Sequence, residues 1–351
     1  MKVLIHLAHP AHFHLFKNVI MPLQNKGHIV RFSYNEKDVL ALLVNDFNQK
    51  DKFSEIVATK RLNNKFDLYK QFIEKGVNFL IFAKSFNPDI ILGTSIIVSL
   101  IGKYLRKTNI IVNEDDFDII GQTANLGYRF ASSIICPKVC RTGKWDDKCI
   151  KYNGYHELAY LSPKYFSPDK RILKKYGISD QNYCIIRFAK LLAHHDKNAK
   201  GISNELAVLL INEIRSRTKV YITSERDLPN ELMPYILRIN PLDIHHVMAF
   251  SRLYIGDSQT MAAESGVLGV PFIRYNKFVG KISYLNELEN SYKLGFGILP
   301  DNPDSLLKRS LEVLDNPFSR LEWLGRRDKM LAEKEDVVEF IVKNIVKWEQ
   351  E

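Results

Sequence analysis

Cysteine is scarce in this chain. Cys136, Cys140, Cys149 and Cys184 are the four in 351 residues, and they form no C-x-x-C pair. That spacing excludes a disulfide scaffold, and free thiols in a reducing cytoplasm are the expectation. Long apolar runs are also missing. The most apolar stretch, "DIILGTSIIVSLIGKYL", opens at Asp89, carries two glycines and meets Lys103. It falls short of the roughly 20 apolar residues that span a bilayer, so a buried strand followed by a helix is expected there. The N-terminus "MKVLIHLAHP" is interrupted by histidines and a proline, which argues against a signal peptide. There is no G-x-G-x-x-G, G-x-x-x-x-G-K-[ST] or H-E-x-x-H, and no nucleophilic Ser-His-Asp arrangement emerges. Dense Lys/Arg blocks are absent too, although Lys and Arg outnumber Asp and Glu by 50 to 40. The resulting net charge of +10 favours anionic partners. Because it is dispersed, nucleic acid is not expected among them.

What is present is alternation. The length suits two domains, and a 46% hydrophobic content supports a core in each. "KVLIHLA" reads as a strand covered on both faces, and "HFHLFKNVIMPLQNKG" as a helix closed by Gly27. "HIVRFSY", "FSEIVAT", "PDIILGT", "TNIIVNEDD" and "SSIICP" read as further strands, with helices over "EKDVLALLVNDF" and "FDLYKQFIEKGVNFLIFAKSF". Strand–helix alternation predicts a parallel sheet with helices on both faces. The pattern lapses over "KYNGYHELAYLSPKYFSPDKRILKKYGI", where a domain junction is expected. A second series follows, from "NYCIIRFAK" through "KVYITSE", "IHHVMAFS" and "RLYIGD" to "VPFIRYN". The expected division is residues 1–155, residues 156–335, and a C-terminal helix over 336–351.

The segment "LYIGDSQTMAAESGVLGVPFIRYN" is the most informative. A buried strand ends at Gly256, and Asp257 and Ser258 are placed to cap the next helix. The helix then offers backbone N–H groups at Ser258, Gln259 and Thr260 and the positive end of its dipole, a setting for phosphate. Glu264 shares a helix face with Thr260, one turn on, where a carboxylate can accept hydrogen bonds from ribose hydroxyls.

This segment, together with "HPAHFHLFKN", "GYHELAYL" and "RFAKLLAHHD", resembles a glycosyltransferase-like family, domain of unknown function 354. The pattern is also similar to GT-B glycosyltransferases and to the non-hydrolysing UDP-N-acetylglucosamine 2-epimerases. The resemblance spans nearly the whole chain. It implies an α/β GT-B-like fold of two Rossmann-like doubly wound domains facing a cleft, with the nucleotide held mainly by the second. It further implies that the last helix crosses back to the first domain. By this resemblance Glu264 holds the ribose and Ser258, Gln259 and Thr260 meet the phosphates. Ile244 and His245, in "PLDIHHVMA", adjoin the base. The chain departs from many GT-B members where "IIRFAKLLAHHD" replaces a glycine-rich loop. There Arg187 can clamp a diphosphate or meet a structural carboxylate, and Lys190, His195 and Asp196 are expected to line the cleft.

Four of the ten histidines crowd into "HLAHPAHFH": His6, His9, His12 and His14. They span strand, loop and helix start, so a zinc site is not expected. His6 reads as a core residue and His14 as a first-turn helix residue. His12 matches the histidine of the G-G-H loop in lipid-linked N-acetylglucosaminyltransferases. It is the first candidate base, with His9 beside it, against a simple capping role. Asn113, Glu114, Asp115 and Asp116 are expected on one rim after a strand, either capping the next helix or supplying Glu114 or Asp115 as the base. The expected function is a cytoplasmic, metal-independent glycosyltransferase without a cofactor. It would move a sugar from a nucleoside diphosphate, UDP foremost, to a glycan or lipid-linked acceptor in surface polysaccharide biosynthesis, with peripheral membrane association in view. A UDP-sugar 2-epimerase and a non-catalytic nucleotide-sugar or polyanion-binding protein are the alternatives.

Overall fold

The computed structural model of the chain describes residues 1–34, 38–51, 65–189 and 201–349. Among these, two compact units form: residues 1–160 with 335–351, and residues 161–334. No helix among the described residues is long and apolar enough to cross a membrane.

The first unit runs β1 (Lys2–Leu7), α1 (Pro10–Lys17), α2 (Ile20–Asn25), β2 (Ile29–Tyr34), α3 (Asp38–Asp51), α4 (Lys65–Phe86), β3 (Ile90–Gly93), α5 (Ile96–Leu105), β4 (Thr108–Val112), α6 (Phe117–Phe130), β5 (Ser133–Pro137) and β6 (Cys149–Tyr152). The strands make one sheet in the order β2-β1-β3-β4-β5-β6, and every pairing is parallel. Five of the six residues of β1 are buried, as a strand with helices on both faces requires. The chain steps from β1 outward to β2 and returns to β3 on the other side. This creates a switch point where His6 lies opposite Gly93.

The single helix expected over "HFHLFKNVIMPLQNKG" is two helices, α1 and α2. Pro22 is the reason: it has no N–H for the Asn18 carbonyl one turn back, and its ring crowds that carbonyl. Gly27 follows at φ +84° and donates its N–H to the Gln24 carbonyl at 2.8 Å. The strand expected at "FSEIVAT" lies outside the described residues.

After α7 (Leu158–Leu161), the second unit contains α8 (Arg171–Lys175), β7 (Tyr183–Phe188), α9 (Asn204–Ile214), β8 (Lys219–Ser224), α10 (Ile244–Ala249), β9 (Leu253–Gly256), α11 (Gln259–Val267), β10 (Phe272–Tyr275), α12 (Ser283–Asn290), β11 (Gly295–Ile298), α13 (Pro303–Asp315) and α14 (Ser319–Glu333). Its five-stranded parallel sheet has the order β11-β10-β9-β7-β8. The switch point falls between β7 and β9, where Arg187 pairs in register with Gly256. Under this sheet end, the fully buried Arg274 bonds Glu289 through two nitrogens, at 2.8 and 3.1 Å. Asn276 joins the network and donates to the Asp257 carbonyl at 3.2 Å.

The final helix, α15 (Val337–Lys347), belongs to the first unit. Asp336 caps it by accepting from Glu339 N at 3.0 Å, and Val337, Val338, Ile341, Val342 and Ile345 are its buried apolar face. A Cβ on Gly154 would stand 2.8 Å from Val337 Cγ2, so only glycine lets the helix pack this closely.

Candidate functional site

Each unit presents a polar cluster at the carboxyl ends of its strands, beside its switch point, where open α/β sheets bind ligands. In the second unit the cluster begins with a short β9 that ends at Gly256, followed by the first turn of α11. Ser258 is the N-cap, its hydroxyl accepting from Met261 N at 3.4 Å. Ser258, Gln259 and Thr260 are half-buried, while the rest of α11 from Ala262 to Val267 is buried. The N–H groups of Gln259 and Thr260 have no acceptor within the helix, as its geometry dictates. They and the helix dipole favour an anion.

Asp257 does not cap the helix, contrary to the sequence reading. Its Oδ1 accepts the Ala189 N–H at 2.6 Å, stapling the end of β7 to the end of β9. Burial raises its pKa to about 6. Glu264 is 5% exposed and is not a solvated helix residue; its Oε1 lies 3.0 Å from His245 Nε2. His245 is itself buried on α10, and the preceding Ile244, the first residue of that helix, is half-buried. The structure thus brings Glu264 to His245, and Arg187 to the same strand ends as Asp257 and Ser258. Arg187 is ion-paired with Glu225, so the structural-carboxylate alternative has a partner, although that partner is 52% exposed. Arg187 also lines a hollow of about 500 Å³ with Thr223, Arg226, Arg238, Leu237 and Ile239. Lys190 and His195, with Asp196, lie outside the described residues.

In the first unit, His12 sits in α1 beside the β1/β3 switch point. Its Nδ1 accepts from Ala8 N at 3.2 Å and lies 2.7 Å from the Thr94 hydroxyl. Its Nε2 lies 2.8 Å from the same Thr94 hydroxyl, so both ring nitrogens are turned to Thr94. His9 is the N-cap of α1 and accepts from Ala11 N at 3.2 Å through Nδ1, a capping role. His6 is buried against Ser33, Nδ1 to Oγ 2.9 Å, with its pKa lowered to about 4 by burial and then by Lys75. His14 stacks on Tyr160 with ring centres 5.1 Å apart.

The acidic run after β4 divides. Asp116 is fully buried and accepts the Arg141 N–H at 2.8 Å, so it is a loop anchor and not part of an exposed rim. Although it occupies the N-cap position of α6, its side chain makes no capping bond. Glu114 accepts from His156 N at 3.2 Å and stands 3.4 Å from His156 Nδ1. Asp115 is half-buried, and its pKa is raised to about 6, first by burial and then by the neighbouring Glu114. Such a carboxyl exchanges protons near neutrality. The sequence reading missed Thr94, the Glu114 partner His156 and the Asp257 staple. His156 had a signal in the quoted "GYHELAYL"; Thr94 had none. Among the described residues no group of three or more His, Cys, Asp or Glu is arranged to hold a metal ion.

The fold has known counterparts. The sequence matches the family model "Protein of unknown function (DUF354)" over residues 1–288. The chain belongs to the DUF354 family. No curated protein matches it in sequence. Among solved structures it is similar to a Listeria monocytogenes protein assigned as a UDP-N-acetylglucosamine 2-epimerase, with TM-score 0.72, 15% identity, and 97% of this chain and 94% of that one covered. The Methanocaldococcus jannaschii UDP-GlcNAc 2-epimerase in complex with UDP-GlcNAc and UDP gives 0.69 at 12% identity, covering 99% and 100%. The spinosyn forosaminyltransferase SpnP gives 0.65 at 13%, covering 100% of both. At these identities the likeness establishes the fold: this DUF354 chain is GT-B-like, an architecture used by both epimerases and glycosyltransferases.

Proposed function

We propose that the protein is a GT-B glycosyltransferase that takes a sugar from a nucleoside diphosphate, UDP foremost, and delivers it to a glycan or lipid-linked acceptor. The observation that carries this reading is Glu264. A carboxylate buried one turn beyond an open helix N-terminus, at a switch point, is costly to desolvate and gains from a polyhydroxyl ligand. In this reading the N–H groups of Gln259 and Thr260, with Ser258, take the diphosphate, and Arg187 offsets its charge as it departs. Ile244 and His245 adjoin the base, and His245 orients Glu264 toward the ribose. Among the first unit's residues, Asp115 is assigned as the base for an acceptor proton, Glu114 is held in place by His156, and His12 is held by Thr94. No metal is required, because the helix dipole and the guanidinium supply the positive charge.

A second reading, a UDP-sugar 2-epimerase, is supported by the fold likeness, in which epimerase structures give TM-scores of 0.64 to 0.72 and transferases 0.58 to 0.65. Elimination and re-addition need an acid and a base, and Asp115 with His12 or Glu114 supplies such a set. Incubation with UDP-N-acetylglucosamine alone, followed by proton NMR, separates the two. Conversion without acceptor favours the epimerase; turnover only with acceptor favours the transferase. Binding without any product would leave a nucleotide-sugar-binding protein. For the site itself, UDP should raise the melting temperature, since ligand at 100 times Kd adds about 2.7 kcal/mol to the folded state. Glu264→Ala should lose most of that gain. An undiminished shift in that variant refutes the nucleotide assignment.

A further inference from the structure

At the opposite, amino-terminal edge of the first unit's sheet lies a second hollow, of about 570 Å³. It is walled by the ends of α5 and α6 and the starts of β4 and β5, and the side chains around it include Lys103, Arg106, Lys107, Arg129 and Lys148. No carboxylate lines it. Lys148 is spent on the open end of α6, donating to the carbonyls of Tyr128, Arg129 and Ala131 at 3.0–3.1 Å. The other four have no carboxylate within ion-pair distance among the described residues, and Lys103, Arg106 and Arg129 are exposed. Arg106 closes α5 in the left-handed conformation, φ +54°, a position that helices more cheaply give to glycine.

An apolar stripe adjoins this hollow. On α4, Ile73, Val77 and Ile81 follow one another at helical spacing and are 63%, 48% and 62% exposed. The same face continues to Lys84, whose Nζ lies 5.6 Å above the ring of Tyr104. Tyr104 is 66% exposed and sits on α5 between Lys103 and Arg106. The surface therefore passes from exposed aliphatic groups, through an amphipathic tyrosine, to a seat of unpaired cations. Each part alone is ordinary; their continuity is not.

We propose that this face docks on a bilayer rich in anionic lipid, with headgroup phosphates in the Lys103–Arg106–Arg129 hollow and the α4 stripe against the acyl boundary. An interfacial surface combines buried apolar area with cations near the headgroups. A second copy of the chain fits less well, because a two-fold contact through this face would oppose the cationic hollows. A soluble anion would use the hollow and leave the stripe idle.

The test is co-sedimentation of the full chain with vesicles of phosphatidylcholine alone or phosphatidylcholine with about one third phosphatidylglycerol. The protein should partition onto the anionic vesicles only, less so as salt rises. At about 1 kcal/mol per cation, Arg106→Ala and Arg129→Ala should each lower partitioning about fivefold, and Ile81→Asp should lower it as well. All three side chains are exposed, and unchanged melting temperatures will certify the folds. Equal binding to neutral vesicles, or indifference to Arg106 and Arg129, overturns the proposal. So does vesicle binding abolished by millimolar pyrophosphate but untouched by Ile81→Asp, which marks a soluble-anion site. Absence of vesicle binding with a concentration-dependent dimer lost in Ile81→Asp assigns the face to a second copy instead.

Discussion

Replacing Asp257 by asparagine should make the protein more stable, and only above a definite pH. The carboxyl is 8% exposed, and its ionisation is shifted from the ordinary 3.8 to about 6, chiefly by burial. Only Oδ1 has a hydrogen bond of good geometry; Oδ2 is buried without one. The sign follows from linkage. Below pH 3.8 the group is protonated in both folded and unfolded chains and costs nothing. Between pH 3.8 and about 6 the unfolded chain ionises it while the folded chain keeps it protonated, so stability is lost across that window and the loss is complete above about 6. At 1.36 kcal/mol per tenfold change, a rise from 3.8 to about 6 amounts to about 3 kcal/mol, fully expressed above pH 6. Asparagine keeps an oxygen for Ala189 N and carries no charge. Urea melts of the two proteins between about pH 5 and about pH 8 measure the difference directly. Asp257→Asn should lead by up to about 3 kcal/mol at the alkaline end, with the gap narrowing toward acid, and should retain the UDP-induced thermal shift. A variant less stable at every pH by a constant amount would refute the reasoning: it would mean that the ionised carboxylate is stabilised where it lies.

Two other substitutions probe the same unit. Glu289→Gln leaves the fully buried Arg274 guanidinium without its counter-charge, and stability should fall by about 3–5 kcal/mol in the same urea assay; a paired change to apolar residues of similar volume should recover most of it. Glu225→Gln releases Arg187 from its ion pair. If Arg187 meets the diphosphate, UDP affinity should rise several-fold and become more salt-sensitive by calorimetry; unchanged affinity removes Arg187 from the site.

The two parallel sheets were legible because period and length decide them. β1, β3 and β4 each hold a short, buried apolar core (VLI, IIL and IIV), and short runs buried on both faces have few alternatives to parallel strands. The elements that escaped carry weaker patterns. β11 is "GFGI", two glycines in four residues, and Gly295 leaves the space that the Phe272 ring fills. β6, "CIKY", is an edge strand with one buried residue. The candidate sites divide in the same way. Ser258 and Glu264 were visible because capping and i,i+4 spacing are local properties. The contacts that give them meaning are not: Asp257 to Ala189 crosses 68 residues, His245 to Glu264 joins two helices, and Thr94 meets His12 across 82. Asp257 was taken for a cap because sequence cannot tell which of two adjacent polar residues turns toward the helix. Side-chain geometry gave that role to Ser258.

The internal pairing of charges bears on what drives binding. Glu264 stands against His245, Glu114 against His156 and Arg187 against Glu225. Side chains so engaged contribute to a ligand only the difference between two partners. Among the described residues, the backbone N–H groups of Gln259 and Thr260 at the start of α11 have no such competitor. Helix geometry leaves Gln259 and Thr260 without intrahelical acceptors whatever the side chains do. In the proposed function the diphosphate is therefore the group this unit is best arranged to hold, and the sugar is the group it specifies least. A scaffold with that balance can support transfer or epimerisation. In the proposed function Asp115, with its pKa raised to about 6, can take a proton from an acceptor hydroxyl or return one to an eliminated sugar. In the proposed function that one carboxyl serves either reaction, so the acceptor-free incubation is the decisive experiment.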